Sequence, residues 1–540
     1  MKTPIQLDDL NLDAAAKTQV AALVQSLLEQ AKTESANYYQ ADLHAKDLKI
    51  QALILELAHL RRIRYGVKNE ALSNIQSDLF QEACNEDIAA LEAEVEQAED
   101  DQANDTATKP KRPRAGRQPL PPHLPRIDHL HEPESCQCGR CGKDLVKIGE
   151  DITEQLDVEP AKFFVHRHIR PQYACRPCET ITAAPIPPAI IDGGMAAVGL
   201  LTWIMVSKYL DHLPLYRLEQ IAARDNVILA RSTLAEWVGR TGVALQPLAD
   251  RLIEILLERG TLHADETPVP QLDPGSGKTK RAYLWAYRSN DLEAGPRIIV
   301  FDYRGGRSGE HARQFLGSWQ GHLLVDDYGG YKALFSTARQ DASPCIELGC
   351  WAHARRKFFD LHKANASSMA LEALTRIGQL YAIEQQGKAL NIEARQQLRA
   401  EQSQPILDAL HQWLTQTRAN TASGGGSAKA MDYTLKRWTA MIRYAETGHL
   451  PIDNNPVENT IRPIAIGKKN WLFAGSERAG QRAAAIQTLL GTAKLNGIDP
   501  AAWLRDTLEK LPIWPNSRID ELLPFARPVG EVKAQDDNDR

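Results

Sequence analysis

The chain has 540 residues, 43% hydrophobic and 25% charged, the composition of a soluble globular protein of three or four domains. Its net charge of −5 argues weakly against a polyanionic partner, but the total misleads: residues 82–105 are densely acidic without a Lys or Arg, and 109–126 (KPKRPRAGRQPLPPHLPR) are basic and proline-rich. The start, MKTPIQLDDL, lacks an apolar signal region, and the longest uncharged apolar stretch, 193–207, is shorter than the ~18–20 residues of a membrane span, so a cytoplasmic protein without a membrane partner is expected.

Residues 13–65 read as helix, with Leu43, Ile50, Leu53, Leu57 and Leu60 in a 3-4 spacing interrupted by Lys46. That pattern fits a short coiled coil, or a helix packed on its own domain. The basic RRIRYGVKNEAL (61–72) reads as a phosphate contact or as a solvated helix end. Residues 82–108 read as a helix end running into a polar linker. The basic proline-rich stretch that follows is extended chain, either a plain linker or an arm lying along a nucleic-acid backbone.

Five of the eight cysteines cluster between 136 and 178, which in a reducing compartment points to metal binding rather than disulfides. Cys138-x2-Cys141 and Cys175-x2-Cys178 supply paired sulfurs at zinc-knuckle spacing, with Cys136 as an alternative first ligand. Four thiolates leave no open coordination position, so the Zn²⁺ is structural. The segment between the knuckles is long enough that it must fold as its own hairpin.

Residues 186–258 read as helical, and LYRLEQIAARDNVILARSTLAEWVGR (215–240) has helix-turn-helix character. One helix runs to about Arg224, and Ser232 caps a second that carries Trp237. Such a second helix enters a major groove, which makes Arg231, Ser232 and Thr233 candidate DNA contacts, against plain helical packing. From 259 the pattern turns to strands: 260–269, 281–289, 297–304 and 321–330, with a helix over 309–319 before the fourth and a fifth strand over 344–350. This succession indicates an α/β core. Residues 361–445 return to helix with a break at ASGGGSA (422–428), and 484–525 are mostly helical before a tail of disordered character.

Two of the apolar strands end in carboxylates, Asp265 in LHADET and Asp326 in HLLVDDY. Strand ends of α/β sheets are where ligands sit. Two carboxylates facing one crevice repel unless a divalent cation neutralises them, and hard oxygen donors suit Mg²⁺ or Mn²⁺. The alternative is that one Asp merely caps a turn. A third carboxylate would complete a two-metal site for phosphoryl displacement. Glu458, in DNNPVENTIRP (453–463), is the candidate. Taken alone it is also an ordinary helix-start glutamate: Asn455 as cap, Pro456 in the first position, Arg462 at i,i+4, and Pro463 limiting the helix to about two turns. Beyond it, Lys468, Lys469, Arg478 and Arg482 are placed to neutralise DNA phosphates, and Trp471 to stack on a base or, preferably, to pack in the core.

At this point the sequence resembles the DDE transposases of bacterial mobile elements, specifically the insertion sequence 66 family. The resemblance is carried by LHADETPVPQL, YLWAY, VDDYGGYKAL, GCWAHARRKFFD, IDNNPVENTIRPIAIGKKNWLFAGSERAG and GTAKLNGIDPAAWL, with the cysteine module and the Leu-rich N-terminal helix. It covers nearly the whole chain. It implies a ribonuclease H-like mixed-sheet catalytic core with a third carboxylate on a helix and a helical insertion before it, matching 361–445. Carried over by motif, the triad is Asp265, Asp326 and Glu458, holding Mg²⁺ or Mn²⁺. Asp327 stands where the family often has glycine; D-x-Y-x-G-Y aligns on Asp326. His353, Arg355 and Arg356 match a family motif that would contact DNA, position the scissile phosphate or make structural ion pairs, and Arg462 becomes a DNA-contacting or carboxylate-orienting group. Departures are Tyr65 and Asn69 in the N-terminal motif and Asn226 in place of a turn glycine, where Asn tolerates the left-handed conformation.

The resulting expectation is an N-terminal helical region (13–105), a basic linker (106–130), a zinc module (131–185), a helix-turn-helix-like region (186–258), a catalytic domain (259–483) and a C-terminal helical region (484–540). The implied activity is cleavage at the ends of an insertion sequence and transfer of the freed 3′-hydroxyl into target DNA. Implied partners are DNA, a second copy paired through the coiled coil, and accessory proteins of the same element. The rivals are a related nuclease without strand joining and a non-catalytic DNA-binding descendant.

Overall fold

A computed structural model describes residues 46, 49–50, 53–54, 56–57, 85–95, 120–132, 137, 144, 146–159, 162–175, 178–273, 278–336 and 345–525. Those up to 57 and 91–95 belong to one compact unit; 85–90 and 120–525 belong to another. In the first unit the described residues are helical, and Leu53 and Leu57 are buried. Leu43, Leu60, the basic segment 61–72 and the arm at 109–119 lie outside the described residues, as do Cys136, Cys138 and Cys141.

The second unit carries two sheets. In the smaller, β3 (Lys162–Cys175) pairs antiparallel with β2 (Val146–Glu159), parallel with β1 (Arg126–Leu130) and antiparallel with β4 (Thr180–Ala183). The chain between the two cysteine knuckles is therefore largely the β2–β3 hairpin. Cys175 is the last residue of β3 and is buried; Cys178 lies two residues before β4. Gln137 and Asp144, which flank the first knuckle, bridge to each other.

The larger sheet has five strands: β5 (Thr261–Asp273), β6 (Lys278–Ser289), β7 (Ile299–Arg304), β8 (His322–Val325) and β9 (Ile346–Gly349), in the order β7-β6-β5-β8-β9. The first three are antiparallel, and β8 and β9 run parallel to β5. β8 pairs with β5 only over Thr261–His263. Beyond that point this edge of β5 carries only an isolated bridge to Ala474, which uses the Pro270 carbonyl and the Leu272 N–H and needs no proline N–H, so Pro268 and Pro270 are tolerated within the strand. The strand expected over 321–330 stops at Val325. The Asp326 side chain accepts the N–H of Tyr328 at 2.8 Å, turning the chain into a 3-10 helix at Gly329–Phe335.

Helices α1 (Val198–Tyr209), α2 (Leu215–Arg224) and α3 (Arg231–Leu257) precede the sheet. The turn between α2 and α3 holds Asn226 at φ 56°, the left-handed conformation expected of it. The cap of α3 differs from expectation: Ala230 is the cap residue without a side-chain bond, and Ser232 lies exposed inside the first turn. Trp237 is core.

α4 (Gly309–Leu316) comes between β7 and β8. After β9, α5 (Trp351–Asn365) opens a helical insertion: α6 (Ser368–Gly387), α7 (Ile392–Leu398), α8 (Gln404–Ala419), α9 (Gly426–Lys436) and α10 (Trp438–Ile442). Its own core gathers Trp351, Phe358, Leu380, Leu407 and Tyr444. Arg399, fully buried, is satisfied by Glu384 and by the carbonyls of Tyr444 and Thr447. The glycine-rich segment ends α8 and starts α9.

Three further helices follow: α11 (Asn455–Trp471), α12 (Glu477–Leu495) and α13 (Pro500–Lys510). α12 covers the outer edge of the sheet. Thr488 Oγ1 accepts the N–H of Phe301 at 2.8 Å and Thr492 Oγ1 that of Ile299 at 3.3 Å, so an edge strand that would otherwise invite pairing is closed by a helix. Gly480 makes this approach possible, since a Cβ there would meet the Tyr303 ring at 2.4 Å.

Candidate active site

Asp265 is the fifth residue of β5, and Asp326 follows directly on the last residue of its neighbour β8. Parallel pairing at Leu262–Leu323 and His263–Leu324 brings Asp265 opposite Asp326 as the register continues; the strand-end position expected of both holds for Asp326 alone, since β5 runs on past Asp265 to Asp273. Asp265 is partly buried, and its Oδ1 accepts the N–H of Glu266 at 2.9 Å. Burial, then the charges of Glu266, Asp326 and Glu458, push the Asp265 carboxyl up to about 7. Asp326 and Glu458 are thus near enough to act on this group, after burial and the adjacent Glu266. Asp327, by contrast, is exposed and turned toward Arg437 at 3.9 Å.

Glu458 reaches the site from α11 in a way that differs from the sequence expectation. The cap residue is Asn454 rather than Asn455; Asn455 and Pro456 are the first two helical residues, and Glu458 closes the first turn through its N–H to the Asn454 carbonyl. The cap side chain is engaged elsewhere. Asn454 is fully buried, its Nδ2 donates to the Ala264 carbonyl at 2.8 Å, and its Oδ1 lies 3.1 Å from His263 Nδ1. One amide thus ties the start of α11 to the strand residues just before Asp265. Asp453 does the capping instead, with Oδ1 accepting the Asn455 N–H at 3.1 Å. Pro463 does not end the helix: α11 runs through it to Trp471, held by the buried Ile461, Ile464 and Gly467 on one face.

The charged partners of Glu458 are not Arg462, which is exposed, but two residues of α5. His353 Nδ1 stands 3.6 Å from Oε1 and Arg356 3.5 Å from Oε2. His353 also lies 3.3 Å from the sulfur of Cys350. Among the described residues, Cys350, His353 and Glu458 are the one group of three His, Cys, Asp or Glu donors whose ligand atoms all fall within 4.8 Å. At least one pair among Asp265, Asp326 and Glu458 is therefore wider than that. Sequence reasoning missed Cys350 and Asn454. The signal for the first was available as C-x2-H, a spacing that puts both side chains on one helix face.

The basic residues scatter. Lys468 Nζ donates to the Pro268 carbonyl at 2.9 Å, Lys469 is exposed and Arg478 half-buried. Arg482 is not a phosphate contact: it is buried and paired with Asp87 at 2.7 Å. Arg231 forks onto Glu219 of α2 at 3.0–3.1 Å, and Thr233 is half-buried. Trp471 packs, partly buried, beside the Val269–Leu284–Ile464 cluster.

The raised Asp265 carboxyl has a consequence for stability. Its folded value of about 7 lies above the ~3.9 of an unfolded aspartate, so the fold is favoured by this group below about pH 4 and loses that advantage as pH rises through 7. In magnesium-free buffer at pH 8, Asp265→Asn is therefore expected to melt higher than the wild type, by at most roughly 4 kcal/mol, with no difference near pH 4. A variant no more stable at pH 8 would show that the carboxylate is not strained.

Residues 193–482 match the description "Transposase IS66 family". The chain belongs to that family. Residues 135–179 match the zinc-finger binding domain of transposase IS66, 488–525 the IS66 C-terminal element, and 52–128 "Transposase C of IS166 homeodomain". Transposase, zinc-finger and DNA-binding regions thus follow one another along an IS66-family chain. The chain is similar to three uncharacterized proteins of Sinorhizobium fredii: y4qI, 36% identical over 97% of both chains; y4jD, 37% identical over 87% of this chain and 93% of the other; and y4hP, 34% identical over 88% of both. No helix among the described residues is long and apolar enough to cross a membrane.

Proposed function

We propose that this IS66-family chain is a metal-dependent DNA transposase that cleaves at the ends of its element and joins the freed 3′-hydroxyl to target DNA, with Asp265, Asp326 and Glu458 as its catalytic carboxylates. The observation that supports the reading is geometric: the β5–β8 register sets Asp265 against Asp326, and Asn454 ties the first turn of α11, which carries Glu458, to the strand residues just before Asp265; burial, then the charges of Glu266, Asp326 and Glu458, pushes the Asp265 carboxyl up to about 7. A negative cluster of this kind is relieved by a dication. The strand order, three antiparallel strands followed by two parallel ones with the aspartates on neighbouring central strands, supports the ribonuclease H-like reading.

The residues fit Mg²⁺ or Mn²⁺. The donors are all hard oxygens, the kind these ions take. When bound, such ions supply Lewis-acid stabilisation of the attacking and leaving oxygens of a phosphodiester. The chain itself does the rest. Asn454 sets the start of α11 against β5, so that Glu458 and Asp265 are positioned together. His353 and Arg356 hold the Glu458 carboxylate, and Arg356, 57% exposed, is the cation that an incoming phosphate meets. Lys468, Lys469 and Arg462 on α11, and Arg478 at the start of α12, are the further proposed phosphate contacts. Arg231, Ser232 and Thr233 at the start of α3 are the proposed end-recognition contacts.

A strand-transfer assay with labelled terminal DNA and Mg²⁺ tests this. Nicking and joining are expected; nicking alone would favour the nuclease reading, and no nicking with any divalent metal would remove the enzyme. The zinc module is tested separately. Purified protein is expected to hold at least one tightly bound zinc through Cys138, Cys141, Cys175 and Cys178, and Cys175→Ser to hold one fewer. Unchanged zinc content in that variant would exclude the assignment. The N-terminal helical segment is the proposed pairing element of a homo-oligomer, with accessory proteins of the element as further partners.

A further inference from the structure

Two helix starts meet beside the carboxylate cluster. Cys350 is the cap residue of α5, His353 follows one turn later on the same face, and Glu458 lies in the first turn of α11. Two backbone N–H groups tie the junction: Trp351 N–H donates to the Ile452 carbonyl at 3.2 Å, and Asn454 N–H donates to the Cys350 side-chain sulfur at 3.2 Å. We propose that Cys350, His353 and Glu458 form a second metal site, selective for zinc or a similarly soft dication, which lies beside the proposed magnesium centre and shares Glu458 with it.

The distances match what such an ion needs. Zinc bonds of ~2.3 Å to sulfur and ~2.0–2.1 Å to nitrogen or oxygen, set at tetrahedral angles, place sulfur and nitrogen about 3.5 Å apart and nitrogen and oxygen about 3.3 Å apart. The Cys350 Sγ to His353 Nδ1 distance is 3.3 Å and the His353 Nδ1 to Glu458 Oε1 distance is 3.6 Å. Oε1 is also buried without a hydrogen-bond partner, the oxygen of Glu458 left over for an ion. Asn454 N–H already points at the sulfur, the kind of surrounding hydrogen bond that holds a ligand in place. A thiophilic ion takes the Cys350 sulfur as thiolate, its proton passing to solvent. Magnesium does not do this, because it prefers hard oxygen donors; the mixed sulfur, nitrogen and oxygen set discriminates against it. Three protein ligands leave the fourth position open for water.

The binding claim stands on these three side chains alone; only its sharing of a catalytic ligand rests on the reading of Glu458 given above. The test therefore reads binding and not cleavage. Full-length protein with zinc in its four-cysteine module is titrated with Co²⁺, and the thiolate-to-cobalt absorption is compared with that of Cys350→Ala. The expected result is a difference band that saturates at one added ion per chain. Asp265→Asn retains the band, and His353→Gln shifts it and weakens binding at least tenfold while its melting temperature shows that it is folded. A wild-type chain without a band that Cys350→Ala removes, a band untouched by His353→Gln, or one lost equally in Asp265→Asn would overturn the site. None of these outcomes depends on whether the chain cuts DNA.

Discussion

Glu458→Gln is expected to lower DNA cleavage by about a thousandfold or more while leaving DNA binding within about twofold. The amide keeps the size of the side chain and can still approach Arg356, now 3.5 Å from Oε2, but it removes the negative charge that a metal needs. Glu458→Asp is expected to fall nearly as far. The first turn of α11 is set by its backbone bond to Asn454 and by the Asp453 cap, so a shorter side chain cannot be carried forward by moving the helix. The same size of loss is expected for Asp326→Asn, whereas Asp327→Asn, at an exposed carboxylate near Arg437, is expected to keep most activity. Cleavage of labelled terminal DNA in single turnover checks all four. Full activity in Asp326→Asn with loss in Asp327→Asn would reverse the ligand assignment.

Asn454→Leu is expected to have the largest effect on the fold near the site. The side chain is fully buried, and its removal strands the Ala264 carbonyl and His263 Nδ1 without partners. Two such groups cost about 2–5 kcal/mol together. Because the amide is also the link between β5 and the start of α11, cleavage is expected to fall by about a hundredfold even at temperatures where the variant is fully folded. Asn454→Asp separates packing from hydrogen bonding: it keeps the volume but sets a carboxylate oxygen against the Ala264 carbonyl, and is expected to lose at least as much stability. Thermal denaturation beside single-turnover cleavage measures both. A Leu variant as stable and as active as the wild type would mean that Asn454 positions nothing.

The elements of the core were legible because their signals are local. Apolar runs bounded by turn residues marked β5 to β9, and the carboxylate at the end of β8 is visible without knowing what faces it, whereas Asp265 lies inside β5 and not at its end. The left-handed turn at Asn226 and the glycine break between α8 and α9 were equally local. The misjudged details are those where a distant partner overrides local preference. Asn454 is the cap in place of Asn455 because its side chain is taken by a strand some 190 residues away, and Asp453 does the capping. Pro463 sits in an unbroken helix because three buried residues on one face hold it there. Arg482 looked like a phosphate ligand and is a buried partner of Asp87.

Sequence by itself determined the chain's family, through long motifs in fixed order, and with it which three carboxylates to consider. Composition and spacing alone pointed to a metal-binding cysteine module, where the family match places a zinc finger, and to the succession from strands to helices. Only the tertiary structure shows what those carboxylates face: Asp265 is partly buried beside Glu266 and within the field of Asp326 and Glu458, Asp327 turns toward Arg437, and the cations nearest Glu458 are His353 and Arg356 rather than Arg462. The reason is physical. Hydrophobic periodicity and turn chemistry act over a few residues, whereas burial, charge repulsion and ligand geometry depend on separations through space that the chain sets only once β5, β8, α5 and α11 have packed together.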